Sequence, residues 1–243
     1  MKHISILFFL FLSLSLYAQE NEWKGIMIDY THQFPTGILS ERFGNNSSIG
    51  LTYLQEQENN FFYGVEIEYM FGNNINEDSL FNGITTSDGS IIDGNGYLAN
   101  ILLYERGLSS HIIFGYAIHF KENKKHGVYL SSGIGYLQHK IYIEKNKTNI
   151  PQLSDDYENG YDRFTNGLST KLAMDYMYKN SKNNYHIIIG FETIYAFTKN
   201  RRPYLFNEMQ YAETDLRKDI LLGIKCGFIL PFGGKNKEEF HYY

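Results

Sequence analysis

The chain has 243 residues and a formal net charge of −5; it is 43% hydrophobic and 16% aromatic, with 21 Tyr, 18 Phe, a single Trp and a single Cys. One cysteine excludes an internal disulfide, and no basic stripe marks the chain for nucleic acid, so no nucleic-acid partner is expected. Beyond the N-terminus no apolar run approaches the roughly 20 residues of a membrane helix, which leaves open a protein of strands, where only alternate residues need be apolar.

The chain starts Met1-Lys2-His3, continues with an apolar run from Ile4 to Leu16 and reaches the small residue Ala18 before Gln19. A basic start, a short apolar core and a small residue at the cut predict a secretory signal peptide over 1–18. No cysteine follows the cut, so a lipid anchor is not expected. Alternation of period two then predicts a first strand over 24–33, with Ile26, Ile28 and Tyr30 on one face, and a second over 48–57, with Ile49, Leu51 and Tyr53. A third, over 61–71, sets Phe61, Tyr63, Val65, Ile67, Tyr69 and Phe71 against Phe62, Gly64, Glu66, Glu68 and Met70.

Residues 97–120 read either as two strands or as one long strand with a bulge near Gly107-Leu108-Ser109; connection parity selects the single bulged strand. The fifth strand covers 127–143, with poor alternation at its start that a bulge would explain. The sixth covers 161–178, the seventh 185–198 and the eighth 219–232. The connections at 58–60, 121–126 and 180–183 are short, whereas those at 34–47, 73–96, 144–160 and 199–216 are long and rich in Asn, Gly, Asp and Ser. With eight strands, short and long connections alternate strictly and both termini fall on the short-turn side.

The faces are unequal. One carries most of the large apolar side chains; the other carries Asp29, Glu66, Glu68, Lys171, Asp175, Glu192, Asp219 and Lys225 with several glycines. A soluble lipocalin-like barrel or sandwich would put the apolar face inside. Charges at mid-strand beside glycine fit better a narrow lumen inside a bilayer barrel. The expected fold is therefore all-β: an eight-stranded, antiparallel, up-and-down transmembrane barrel over 19–232 with four long extracellular loops. A short periplasmic tail is expected over 233–243.

The stretch Lys225-x-Gly227-x-x-Leu230-x-Phe232 resembles the C-terminal assembly signal of bacterial outer-membrane barrels. With the signal peptide and the topology, the chain resembles the small OmpA/OmpX-like barrels in the style of the Bacteroidota. The tail after Phe232 and the nearby Pro231 depart from that pattern. The resemblance implies the outer membrane of a Gram-negative bacterium, surroundings of outer-membrane lipid and lipopolysaccharide, and the barrel-assembly machinery as a partner during insertion.

The candidate lumen network pairs Asp29, Glu66, Glu68, Asp175 and Glu192 with Lys171, Lys225 and Lys140, as a plug or as an ion path. His111 and His119 share an inner face about 26 Å apart, too far for a common metal, and read as satisfied lumen or rim histidines. Ser87-Asp88 and Ser154-Asp155 have no histidine near in sequence, so no catalytic residue, cofactor site or metal site is assigned. Asp88 to Gly96 lacks calcium-loop spacing and reads as turn chemistry. Asp162, Arg163, Arg201, Arg202 and Arg217 fall near the outer rim, either as ligands for lipopolysaccharide phosphate or a protein, or as loop-to-loop ion pairs. By analogy of class, the expected role is a non-enzymatic accessory subunit of an envelope machine for barrel assembly or type IX secretion, with envelope proteins as partners. A small-solute channel, an adhesin and a lipid-A-modifying enzyme are the alternatives.

Overall fold

The computed structural model describes residues 23–120, 125–146, 149–180, 184–213 and 215–232. The expected signal peptide (1–18) and tail (233–243) lie outside the described residues. Eight strands, β1 (Trp23–Thr36), β2 (Asn46–Glu56), β3 (Phe61–Gly72), β4 (Leu102–His119), β5 (His126–Glu144), β6 (Thr165–Lys179), β7 (His186–Asn200) and β8 (Arg217–Phe232), form one closed antiparallel barrel. Each strand pairs with its neighbour in sequence, and β8 returns to β1 with Ile26 opposite Leu230 and Ile28 opposite Phe228. Closure removes both sheet edges, as a backbone without water to bond requires.

The long fourth strand is single, but two details differ from expectation. It begins at Leu102, not at 97, and it has no bulge: pairing with β5 runs unbroken from Leu102 opposite Glu144 to His119 opposite Gly127. β5 is equally regular against β6. The lapse in alternation has a chemical cause. Near the long-loop end the outward positions of β4 and β5 hold Arg106, Gln138 and Lys140, so polar groups interrupt the apolar pattern while the pleat continues.

Outward side chains form an exposed apolar belt: Leu168, Ile134, Leu172 and Phe191 are 60–69% exposed. Aromatic residues flank it, with Phe61, Tyr116 and Phe232 toward the short turns and Tyr69, Tyr104 and Tyr142 toward the long loops. An apolar surface of this extent needs a nonaqueous neighbour, and an apolar band between aromatic girdles is the exterior of an outer-membrane barrel.

The lumen is filled in three layers. Toward the short turns a floor packs Met27, Leu54, Phe62, Ile113, Met177 and Ile229 among others. The charged residues occupy the middle. Toward the long loops lies a larger apolar cap in which Met70, Leu137, Ile141 and Leu221 from the strands meet Leu39, Phe43, Leu80, Ile91, Ile150 and Leu153 from the loops. The loops carry short elements of their own: α1 (Ile38–Arg42), a 3-10 turn (Pro151–Leu153), α2 (Asp155–Glu158) and a ribbon pairing Tyr204–Leu205 with Gln210–Tyr211.

Phe191→Arg puts a cation on the mid-belt exterior and is expected to lose about 2–4 kcal/mol of folding free energy in liposomes. Phe191→Leu should fold like the parent chain. Reversible denaturant titration in vesicles measures both.

Candidate functional site

The middle layer is built on two lysines. The Lys171 ammonium from β6 lies 2.6 Å from Glu66 Oε1 and 3.0 Å from Glu68 Oε1, both on β3, and 2.9 Å from Glu192 Oε2 on β7. Glu66 and Glu68 reach the same cation because residues two apart share a strand face. Lys225 from β8 lies 3.2 Å from Asp175 Oδ2 and 3.6 Å from Glu192 Oε2, so Glu192 joins the two clusters. Ser109 Oγ donates to Glu68 Oε2 at 2.9 Å, and His111 Nε2 lies 2.9 Å from Ser169 Oγ. Asp29 completes the layer from β1, buried and with neither carboxylate oxygen hydrogen-bonded.

Glycines make the room. A Cβ at Gly190 would sit 2.1 Å from Asp175 Oδ1, and one at Gly50 would sit 2.6 Å from Asp29 Oδ1. The remaining void beside Glu66, Lys171, Asp175 and Lys225 is about 20 Å³, space for about one water. Ligand atoms of Glu66, Glu68 and His111 lie within 4.8 Å of one another, yet the Lys171 ammonium already binds both glutamates and takes the place a metal ion would hold.

Two further polar clusters stand at the mouths. At the short-turn side buried Glu56 accepts from Trp23 Nε1 at 2.5 Å, Tyr129 Oη at 2.5 Å and Lys179 Nζ at 2.9 Å, with His119 Nε2 at 2.8 Å. Toward the long loops Asp219 Oδ2 accepts from Thr198 Oγ1 at 2.5 Å and lies 3.0 Å from His139 Nε2, with the Phe43 ring against the imidazole.

The rim is tied by ion pairs between loops. Glu77 receives Arg42 at 2.6 Å and Arg163 at 2.9 Å, and Arg163 also reaches Glu208 at 2.8 Å. Arg202 grips Asp162 through two donors, Nε at 2.8 Å and Nη2. That hydrogen bond raises the Arg202 guanidinium above its ordinary pKa against the opposing effect of burial.

Of the expected lumen residues, Asp29, Glu66, Glu68, Lys171, Asp175, Glu192 and Lys225 come together. Lys140 does not. Its side chain is 37% exposed on the outer face, 3.8 Å from Asp162 Oδ2, because β5 keeps its register and even-numbered residues there point outward. The expected rim residues divide. Asp162 and Arg202 pair with each other; Arg163 turns to Glu77 and Glu208; Arg201 donates to Asn166 Oδ1 at 2.5 Å. Arg217 points inward, 3.8 Å from Asp219 Oδ1. In the assembly-signal stretch, Leu230 and Phe232 are exposed on the belt, while Lys225 is buried inside. Asp93 accepts the backbone N–H groups of Asn95 and Tyr97, which is turn chemistry.

Glu56, Glu77 and His139 escaped the sequence reading. Glu56 and His139 carry the inward parity of their strands; Glu77 sits in a loop without periodicity.

A closed even-numbered barrel, apolar outside and ionic inside, decides the architecture. The chain is an eight-stranded outer-membrane β-barrel. The small OmpA/OmpX-like class expected from the sequence fits it. A scan of known family profiles finds no match, and a search of curated proteins finds none. Among solved structures the barrel is similar to Neisserial surface protein A, at 12% identity and TM-score 0.44, covering 86% of this chain and 97% of that one. It is also similar to Ail, the attachment invasion locus protein of Yersinia pestis in complex with the heparin analogue sucrose octasulfate, at 14% identity and TM-score 0.44, covering 88% and 100%. The third is the outer membrane protein OprG of Pseudomonas aeruginosa, at 10% identity and TM-score 0.40, covering 88% and 97%.

Lys171→Met leaves three buried carboxylates short of a cation and is expected to cost about 3–5 kcal/mol, read by urea unfolding in micelles; Glu66→Gln should be milder. Glu56→Ala releases the indole of the only tryptophan. Trp23 emission should move to longer wavelength while the strand content seen by circular dichroism is kept.

Proposed function

We propose that this barrel is non-conducting and non-enzymatic, and that it serves as an accessory subunit of a cell-envelope machine, binding partners through its folded loops. The observation that carries the reading is the filled lumen: an apolar floor, an ionic layer and an apolar cap occupy the bore in series. Charges that neutralise one another at 2.6–3.2 Å resist the passage of an ion. The rim supports the binding side of the reading. Glu77, Arg42, Arg163 and Glu208 tie loops together, so the long-loop surface is held in one shape. That surface offers an open cleft of about 670 Å³ with Tyr157, Tyr161, Tyr204, Phe206 and Met209 in its walls, side chains suited to a protein contact. Against catalysis, the Thr198 hydroxyl donates to Asp219 and not to His139, and the Ser169 hydroxyl that pairs with His111 is buried in the ionic layer, out of reach of a substrate.

Planar-bilayer recordings should show no discrete current steps. Affinity purification of a tagged chain from solubilised outer membranes should recover large envelope proteins in constant ratio. Recovery of the barrel alone would defeat the accessory role, and steady single-channel currents would defeat the plug.

A further inference from the structure

The polar interruption on β4 and β5 forms a site. On their outward faces Tyr104 stands opposite Tyr142, Arg106 opposite Lys140 and Leu108 opposite Gln138. Arg106 and Lys140 are thus direct cross-strand partners of like charge, an arrangement that destabilises a sheet left to itself. Lys140 lies 3.8 Å from Asp162, a carboxylate that Arg202 already holds. Arg106 has no carboxylate partner among the described residues. It reaches only the Glu105 carbonyl, at 3.5 Å, and its guanidinium lies 5.1 Å from the Tyr104 ring centre and 5.8 Å from that of Tyr142. Lys140 and Arg202 therefore share one carboxylate, and Arg106 is left without one. Glu144, the outward acid on β5, is four residues beyond Lys140, about 13 Å along the strand.

Arg106, Lys140 and Arg202 line a recess of about 430 Å³ together with Tyr69, Leu108, Gln138 and Phe164. Its depth in the membrane follows from the strand. From Leu108 to Ile118 along a strand tilted about 40° is a height of about 25 Å, the thickness of the apolar band. Arg106 is the next outward residue above that band, level with headgroups on the long-loop side. Below it Ile67, Leu108 and Ile112 continue the exposed apolar wall.

We propose that this recess binds the phosphate of an outer-leaflet lipid headgroup. Stacking on two tyrosines holds the guanidinium in place through its face and leaves its N–H fork free for an oxyanion. Lys140 adds a point charge from the facing strand, and the Gln138 amide offers a hydrogen bond to the rest of the headgroup. The apolar wall beneath suits an acyl chain and has no use for a soluble anion. A bound phosphate turns the like-charge pair from a repulsion into a clamp. The site faces lipid and does not depend on what the loop cleft binds.

The test uses the folded protein in phosphate-free dodecyl maltoside micelles, titrated separately with diphosphoryl lipid A, dephosphorylated lipid A, phosphatidylglycerol and inorganic phosphate, with native mass spectrometry reporting retained molecules. Retention of a phosphorylated lipid, with at least a tenfold drop for Arg106→Gln combined with Lys140→Gln and none for Lys218→Gln, is the expected result; preference between the two phosphorylated lipids names the headgroup source. Retention of dephosphorylated lipid A to the same extent, retention of inorganic phosphate alone, or undiminished binding by the double variant would each overturn the proposal. The double variant should melt no lower than the parent in dodecyl maltoside alone; a lower melting temperature would show that the two cations serve the fold and not an external anion.

Discussion

The ammonium of Lys171 holds the interior together. β3 and β7 lie four strands apart in either direction around the barrel, so bonds from one lysine to Glu66, Glu68 and Glu192 span the bore. Burying an ammonium among carboxyl groups is expensive unless they meet at close range, and a tube of eight strands is narrow enough to force that approach. The inward glycines follow from the same constraint, since Asp175 and Asp29 lie where a neighbouring Cβ would otherwise stand. With both lysines and the carboxylates they bind gathered inside, the exterior is free to be oily.

Strands were legible because a single rule, alternate burial, governs them. Glu66, Glu68, Lys171, Asp175, Glu192 and Lys225 could be assigned to one compartment by parity alone. Lys140 lies outside that compartment for a physical reason. Near the rim a lysine on the outer face is tolerable, because its head can reach the polar interface, so charge there no longer signals the interior. The same outward polar residues make the regular β4 and β5 look bulged in sequence, since polarity there does not report direction.

The apolar cap was not legible. Leu39, Phe43, Leu80, Ile91 and Leu153 lie in or near loops, where no repeat of two or of 3.6 marks which side chains turn inward. Their burial depends on contacts between segments far apart in the chain, such as Phe43 against His139. Glu77 is the polar counterpart, since only the folded rim brings Arg42 and Arg163 to it. The long-loop end is therefore ordered by long-range packing, whereas the wall is ordered by local pattern.

The seam between β1 and β8 sets the tempo of folding. Ile28 and Phe228, partners across that seam, are 200 positions apart, while the other wall pairs join strands adjacent in sequence. Hairpins can form early, but the last ladder must await nearly the whole chain, and contacts of such wide separation are slow to find. Until then both terminal strands present bare amides and carbonyls to any stray segment. A chain built this way has a long vulnerable interval between synthesis and closure, and escorted transit shortens its exposure.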